Sequence, residues 1–567
     1  MKKIYTLSFL LFSFLGRSQV TPVTITSDLT ADLSGYTGAT EFAGQAEYFV
    51  YLSTDDILDR PIFLIDGFDP GDTRNIDALY ASLDYTGNPN FTNLGDELRA
   101  EGFDIVVVNF PTYMNSGSEV DGGADFIERN ALTLIALIED INTEKAIASS
   151  PEQNIIIGPS MGGLISRYAL NYMEGNMLDS DTSLWISLDA PHLGANIPIG
   201  LQHQLNFLAF GLDVGGLVGN QNVTELQPLI NDYLYSPAAR QLLVDHIEPH
   251  LAANGYDFTG STLPIPDDYR IQFETNINSF NSPYPQNTRN IAVTNGNVFD
   301  STTNNYYFAN GDSGTQVGPG FEIINASFPV SIITVDIVIN MTPTSGTPST
   351  VSSFSSLVRN SSASSGTDNY NGIDAAPGGL FDLTNLTGDV PMTGLAADFL
   401  AALQIDKFSF IPTVSALGLE ITEEPTGGDD INWFHDINIT NTRATTDNTP
   451  FDNTYIPLTN ETHVAITPGN ATFILDEIRQ TVLSSNSEIL TSFQLESNPI
   501  KDKLVLLSNS NQNTSISIMD LTGKLIFKTQ TELNNRTEIP VNLNSGFYIL
   551  NIEGENNSRY TTKFIVN

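Results

Sequence analysis

Residues 158–162 read Gly-Pro-Ser-Met-Gly and lie between two stretches of different character. The apolar run at 154–157 is typical of a buried strand, and the stretch at 163–170 has a helical pattern. A sharp turn from a strand into a helix needs small residues, because its backbone crowds both neighbours. The turn lifts the Ser160 hydroxyl out at the end of the strand, where the helix N-terminus and the Met161 backbone N–H can stabilise an oxyanion. The pattern therefore predicts a nucleophilic Ser160; the alternative is a tight turn that merely requires glycines.

Composition excludes several classes of partner and chemistry. The chain has 66 acidic and 23 basic residues, a net charge of −43, so its surface repels nucleic acid and anionic membranes. Cysteine is absent, which excludes disulfides, thiolate catalysis and cysteine-based zinc sites. Acidic pairs at 423–424 and 429–430 leave calcium binding open, although no EF-hand spacing is present. A length of 567 residues indicates two to four domains.

The N-terminus has the pattern of an export signal. Lys2 and Lys3 precede an apolar run at 4–15, and a short polar stretch follows it. This order predicts a signal peptide over residues 1–19, with a buried N-terminal helix as the alternative. The run is short for a bilayer span, and no later apolar stretch reaches spanning length.

From about residue 60 onward, strand and helix signals alternate. Continuous apolar strands that alternate with helices indicate a mostly parallel sheet covered on both faces. We expect one such α/β domain over 20–490, with a β-rich insertion at about 300–420 whose stretch 410–417 returns to the sheet. The apolar stretch 205–218 is either a buried core helix or a mobile lid. The predicted strands are 61–65, 104–108, 154–157, 184–188 and 289–293, and the clearest helix is 127–141.

A nucleophilic serine needs a histidine base, and this chain has only six histidines. In strand–turn–helix hydrolases the base follows the nucleophile and lies in a loop before the closing helix. His463 fits, because it follows polar residues and precedes a helical pattern at 471–483. His435, which lies among aromatic residues, is the second candidate.

The region from about 60 to 485 resembles the α/β-hydrolase superfamily on its lipase side. Residues 64–68, Leu-Ile-Asp-Gly-Phe, resemble the lipase motif after an early strand, with Asp66 in place of histidine. The resemblance implies that the Phe68 and Met161 N–H groups form the oxyanion hole. Residues 191–194, Pro-His-Leu-Gly, resemble a lipase turn in which the histidine is structural, so His192 is not expected to be the base.

The acid that orients the base is left open among four aspartates. Plain α/β-hydrolases place it after the seventh strand, but residues 291–296 contain no carboxylate. Pancreatic-type lipases place it after the strand that follows the nucleophile strand, which is the position of Asp189. Asp189 is therefore the first choice, and Asp300, Asp312 and Asp452 are the alternatives.

The last part of the chain has short strands separated by turns, which predicts a small β-sandwich. Residues 494–567 resemble the type A sorting domain of the type IX secretion system. The motifs are Asn498-Pro499, residues 520–524 and residues 543–550. The resemblance implies export through the periplasm and outer membrane to the cell surface or the medium, with the secretion machinery as a partner.

These observations predict a secreted serine hydrolase that cleaves carboxylic esters, a lipase or an esterase, with an ester or lipid substrate and no cofactor or metal. The rival hypothesis is a non-catalytic surface-binding protein that retains the hydrolase fold. Acyl-chain length, oligomeric state and the role of residues 320–420 remain open.

Overall fold

The computed structural model describes residues 20–213, 219–260, 262–298, 309–310, 315–330, 333–383, 394–419, 431–437, 449–484, 493–497, 499–508, 512–520, 524–553 and 559–566. The predicted signal peptide, Asp300, Asp312 and the acidic pairs at 423–430 lie outside these residues. The chain divides into two compact units, Met1–Ala471 and Thr472–Asn567.

The strands up to residue 471 are β1 (Val23–Thr26), β2 (Gln45–Tyr51), β3 (Pro61–Ile65), β4 (Asp104–Asn109), β5 (Thr112–Asn115), β6 (Ser118–Asp121), β7 (Asn154–Pro159), β8 (Thr182–Leu188), β9 (Arg289–Val293), β10 (Ala309–Asn310), β11 (Thr315–Gln316), β12 (Glu322–Val330), β13 (Ile333–Asn340), β14 (Ser349–Ser355), β15 (Asn360–Ser365), β16 (Gly378–Asp382), β17 (Lys407–Pro412) and β18 (Asn453–Tyr455). The helices are α1 (Ile76–Ala81), α2 (Leu94–Ala100), α3 (Ile127–Ile147), α4 (Met161–Gly175), α5 (Ile199–Phe210), α6 (Leu226–Pro228), α7 (Pro237–Leu242), α8 (Ile247–His250), α9 (Asp268–Asn278), α10 (Gly394–Ala401), α11 (Thr413–Ala416) and α12 (Pro468–Ser484). A π-helical turn covers Leu229–Leu234, and 3₁₀ turns cover Gly122–Ala124 and Ile373–Ala375.

Eight strands form the large sheet, in the order β1-β2-β4-β3-β7-β8-β9-β18. The pairs β1–β2 and β2–β4 are antiparallel, and all other neighbours are parallel. Every residue of β3 is buried. Because successive strand residues point to opposite faces, both faces of the sheet must be covered. The predicted α/β-hydrolase class is confirmed.

The parallel strands bring polar residues to one edge of the sheet. Asp66 follows β3, Ser160 follows β7 and Asp189 follows β8. The carboxyl ends of neighbouring parallel strands meet at the same edge, which is where open α/β sheets hold their ligands.

The insertion between β9 and β18 builds sheets of its own. Strands β12 to β15 form an antiparallel sheet, and β16 pairs with β17. The expectation that residues 410–417 return to the large sheet is wrong, since 407–412 pair with β16 and 413–416 are helical. The place beside β9 is taken by β18, which pairs with it in parallel.

Helix α5 contains the first part of the apolar stretch at 205–218, up to Phe210. Every residue from 199 to 209 is buried. A helix that is buried on all sides belongs to a core, so the core-helix interpretation holds for this part. Residues 214–218 lie outside the described residues.

The second unit contains two antiparallel sheets. Their strands are β19 (Phe493–Leu495), β20 (Lys503–Ser508), β21 (Gln512–Asp520), β22 (Leu525–Leu533), β23 (Arg536–Pro540), β24 (Gly546–Glu553) and β25 (Arg559–Val566). One sheet has the order β19-β20-β23 and the other β22-β21-β24-β25. Leu504, Ile516, Ile552 and Phe564 are among the buried residues of one hydrophobic core, as in a small sandwich. Among the helices in the described ranges, none has the length and apolarity to cross a membrane.

Candidate active site

The turn between β7 and α4 is strained, as a nucleophile turn requires. Ser160 has φ 51° and ψ −129°, a conformation that costs energy for any residue with a Cβ. A Cβ added to Gly162 would lie 2.5 Å from the Ile65 carbonyl oxygen, and one added to Gly158 would lie 2.7 Å from the Gly162 carbonyl oxygen. The two glycines of the pattern are therefore required by close backbone approach.

Ser160, His463 and Asp189 form one chain of hydrogen bonds. With the ring proton on Nδ1, His463 donates to Asp189 Oδ2 at 2.7 Å, and His463 Nε2 accepts from Ser160 Oγ at 2.9 Å. The Asp189 side chain is fully buried, whereas the His463 side chain is 12% exposed. The structure thus brings together the three residues chosen from the sequence, and their catalytic roles remain predictions.

Asp189 is held by β9 and by the turn that follows it. Its backbone N–H donates to the Val293 carbonyl at 2.6 Å, and its Oδ1 accepts from the Asn295 backbone N–H at 3.1 Å. Asn295 lies in the turn after the seventh strand, where plain hydrolases carry the acid. Here that turn supplies a donor that supports a carboxylate on the neighbouring strand.

Among the described residues, the remaining candidates are Asp452 and His435. Asp452 precedes β18 at the amino end of the sheet, and its Oδ2 accepts from the Asn290 N–H at 2.7 Å. His435 is not bonded to Ser160. His192 shares a hydrogen bond of 2.7 Å with Ser187 Oγ, and burial holds its pKa well below the ordinary value. His192 is therefore a neutral structural residue, as the resemblance implied.

The expected oxyanion donors lie beside the serine. Met161 is the first residue of α4, and a Cβ added to Gly67 would lie 3.1 Å from Ser160 Cβ. Within the described part of the chain, neither the Phe68 nor the Met161 backbone N–H has a hydrogen-bond acceptor. Two unpaired N–H groups beside the Ser160 hydroxyl would suit an oxyanion hole if Ser160 is the nucleophile that the sequence predicts.

An ion pair that the sequence analysis missed holds the Phe68 backbone. Arg74 Nη2 lies 3.0 Å from Asp66 Oδ1 and donates to the Phe68 carbonyl at 2.8 Å. The same Asp66 oxygen accepts from the Gly67 N–H at 2.7 Å. The Phe68 N–H belongs to the peptide group between residues 67 and 68. The Asp66–Arg74 pair therefore fixes the peptide groups directly before and after it. Burial raises the pKa of Asp66 to about 7, and Arg74 opposes this rise.

Aromatic side chains flank the serine and the histidine. The Phe410 ring meets the His463 ring edge-on, with 5.0 Å between centroids. Phe68 contacts Tyr233 at 6.4 Å between centroids. No sequence pattern marked Phe410 or Tyr233, because each comes from a distant segment of the chain.

One group in the described ranges has the spacing of metal ligands: His246, Glu248 and Asp267. Arg240 already bonds both carboxylates, at 3.0 Å to Glu248 and 2.9 Å to Asp267. His246 Nδ1 accepts the Glu248 backbone N–H at 3.2 Å. Charge and lone pair are both used, so these residues do not fit a resident metal.

Solved structures similar to the chain are α/β-hydrolases at low identity. An α/β serine hydrolase of Xanthomonas campestris shares 15% identity with a TM-score of 0.20, and the match covers 31% of this chain and 64% of that one. An esterase of Pyrobaculum calidifontis shares 11% with a TM-score of 0.24, covering 48% and 66%. The peroxisomal α/β-hydrolase Lpx1 of Saccharomyces cerevisiae shares 15% with a TM-score of 0.24, covering 48% and 74%.

The chain thus spans less than two-thirds of the first two structures. Such scores carry no argument about activity, and the fold assignment rests on the sheet order and the turn at Ser160. No curated protein matches the sequence.

The C-terminal region does match a sequence family. Residues 498–567 match the secretion system C-terminal sorting domain. This confirms the resemblance seen in the sequence. The chain carries a type IX sorting domain and is exported by that system to the cell surface or the medium.

Proposed function

We propose that the protein is a secreted serine hydrolase that cleaves carboxylic esters. The observation that carries the proposal is the continuous hydrogen-bond chain from Ser160 Oγ through His463 to Asp189 Oδ2, with distances of 2.9 and 2.7 Å. A serine hydroxyl is a weak nucleophile until a positioned base removes its proton.

In the proposed reaction, Ser160 Oγ attacks the acyl carbon while His463 Nε2 takes the hydroxyl proton. The Phe68 and Met161 N–H groups hold the negative oxygen of the tetrahedral intermediate. The imidazolium, stabilised by Asp189, then returns the proton to the leaving alcohol. Water, activated by the same histidine, releases the acid and restores Ser160.

The surroundings of the site support an uncharged, apolar acyl group. Phe68, Tyr233 and Phe410 are half-buried aromatic residues; the Phe410 ring contacts His463, and Tyr233 packs against Phe68. Burial raises the pKa of Tyr233, and the carboxylates of Asp69 and Asp121 add to the rise. These carboxylates would repel an anionic substrate. p-Nitrophenyl esters with an uncharged acyl chain should therefore be cleaved in preference to p-nitrophenyl monoesters of dicarboxylic acids, whose acyl chain carries a free carboxylate.

The test compares Ser160→Ala with the wild type on p-nitrophenyl esters of increasing acyl length. We expect a loss on the order of 10⁴–10⁶ in turnover, since the nucleophile is removed. Ser183→Ala is the matched control, because Ser183 lies on β8 and makes only a 3.4 Å contact with the Asn154 carbonyl. A fluorophosphonate probe should label the wild type and the control, but not Ser160→Ala. A wild type that neither hydrolyses any ester nor takes up the probe would favour the surface-binding alternative.

A further inference from the structure

One strand of the insertion, β16, returns to the site. The Leu380 N–H donates to the Glu461 carbonyl at 2.9 Å, and the His463 N–H donates to the Leu380 carbonyl at 2.9 Å. Leu380 and Thr462 form a parallel bridge. The loop that carries His463 is thus held beside β16 in the manner of an added strand.

The preceding residue of β16 lies against the acid. A Cβ added to Gly379 would lie 1.8 Å from Asp189 Oδ2, the oxygen that bonds His463 Nδ1. A shift of a few tenths of an ångström would not make room for this Cβ, so the Asp189 side chain would have to move. Two consecutive residues of the insertion therefore contact both partners of the Asp189–His463 pair.

The neighbouring strand contacts the same histidine. β17 pairs antiparallel with β16, and its Phe410 meets the His463 ring edge-on at an interplanar angle of 82°. Phe408 and Ile411 on the same strand are buried in the core. The contact with the imidazole is therefore anchored in the interior of the unit.

We propose that the β16–β17 pair is a positioning element for the Asp189–His463 pair, in which Gly379, Leu380 and Phe410 are positioning residues. The backbone of Leu380 fixes the position of the loop that carries His463, and Phe410 fixes the orientation of the His463 ring. Gly379 leaves the space that Asp189 Oδ2 occupies. The proposal rests on the proposed function and assigns a role to the insertion. Reaction geometry that is off by about 1 Å commonly costs a factor near 10² in rate.

A strand that merely covered the core would behave differently. Covering requires apolar side chains, and an added methyl group at residue 379 would then be tolerated or would act only on stability. If the strand positions the Asp189–His463 pair, residue 379 must be glycine. Replacing it should then lower kcat with little effect on substrate affinity.

The first test is Gly379→Ala in the full chain, with Gly260→Ala as the control. An added Cβ at Gly260 meets no atom of the described residues within 4 Å, and its φ is outside the left-handed region. We expect kcat for Gly379→Ala to fall by about 10²- to 10⁴-fold with KM within about threefold, because Asp189 can no longer hold the correct tautomer. The control should keep its kcat. Equal kcat in the two variants would overturn the proposal.

The second test keeps the proposal open to refutation if Gly379→Ala does not fold. Phe410→Leu removes the ring edge from His463, and Phe381→Leu is the matched control from β16. Phe381 contacts Phe408 and Phe410 at 5.4 and 5.5 Å between centroids, and no ring contact with His463 is found. We expect kcat to fall about tenfold for Phe410→Leu alone, a fraction of the cost of misplacing a catalytic group. Equal losses in both variants would contradict a role for Phe410.

A substrate-free measurement separates this proposal from the proposed function. A His463 Nδ1 proton bonded to a carboxylate gives a far-downfield proton resonance, which we expect in the wild type and in Gly260→Ala but not in Gly379→Ala. If the wild type were inert toward esters and probe, the proposed function would fail, yet loss of this resonance in Gly379→Ala would still support the positioning role. An unchanged resonance in Gly379→Ala would overturn that role whatever the substrate results.

Discussion

Asp66 should make the stability of the first unit depend on pH in an unusual direction. Burial raises the pKa of this carboxyl from 3.8 to about 7, although Arg74 lies 3.0 Å away. Between about pH 4 and pH 7 the folded chain therefore keeps a proton that the unfolded chain has released. The free energy of unfolding must fall as pH rises through this window.

The size of the effect follows from the same values. Each pKa unit corresponds to about 1.4 kcal/mol, so moving from 3.8 to about 7 costs roughly 4 kcal/mol of stability once the carboxyl is ionised. Asparagine resembles the protonated form and does not titrate. Asp66→Asn should accordingly exceed the wild type by only about 1 kcal/mol near pH 4.5 and by roughly 4 kcal/mol near pH 8.5.

Urea unfolding followed by tryptophan fluorescence gives the required measurement. The chain has two tryptophans, Trp185 and Trp433, and both belong to the unit before residue 471. The difference between variant and wild type at each pH cancels other buried carboxyls whose pKa is raised, such as Glu128 and Asp374.

Asp32→Asn is the control for charge removal alone. Hydrogen bonds from Ser34 lower the pKa of Asp32, so its small contribution has the opposite sign. That contribution is present above the unfolded pKa and is lost as pH falls. If the Asp66→Asn advantage did not grow between pH 4.5 and pH 8.5, the argument that burial dominates at Asp66 would be refuted.

Three further predictions concern the site and the domains. Asp189→Asn should lower turnover by about 10⁴, because the wrong tautomer of the base is then favoured, whereas Asp452→Asn should lower it less than tenfold. The rates of ester hydrolysis by the two variants show which aspartate orients the base. Arg74→Gln should lower kcat by about 10- to 100-fold with little change in KM, since the Phe68 peptide loses its support. Arg99→Gln, which loses an exposed pair with Asp96 at 3.5 Å and a bond to the Leu52 carbonyl, should keep its kcat. A chain that ends at Leu490 should hydrolyse esters when produced in the cytoplasm but should not be exported, and a folded, inactive product would contradict this division.

The parts of the site that the sequence predicted are those with local patterns. Ser160 lies in a strand–turn–helix of about twenty residues, and each part of it has its own signal in hydrophobicity or glycine content. The fold class followed from the alternation of strands and helices. Asp189 came from a family resemblance and His463 from elimination among few histidines, because no pattern links residues that lie 274 positions apart.

The parts that sequence reasoning missed depend on contacts between distant segments. Gly379 is one of two adjacent glycines in a Gly- and Ser-rich stretch, and nothing local distinguishes a required glycine from a tolerated one. Arg74 follows Asp66 by eight residues in a loop, where no helical or strand period predicts that the two will meet. The sequence predicted β17 in the large sheet because its apolar residues fit any buried strand. The apolar pattern does not show which strand it pairs with, and in the structure β18 occupies the place beside β9.

The position of Asp189 depends on both the large sheet and the insertion. Leu188 and Val293 are paired in register on neighbouring parallel strands, so a carboxylate after either strand would reach the same space. Asp189 fills that space from β8, and the turn after β9 then contributes the Asn295 N–H. A carboxylate buried this completely needs donors on all sides and no competing atoms. Gly379 of β16 meets the second condition, because a Cβ at this residue would lie 1.8 Å from Asp189 Oδ2.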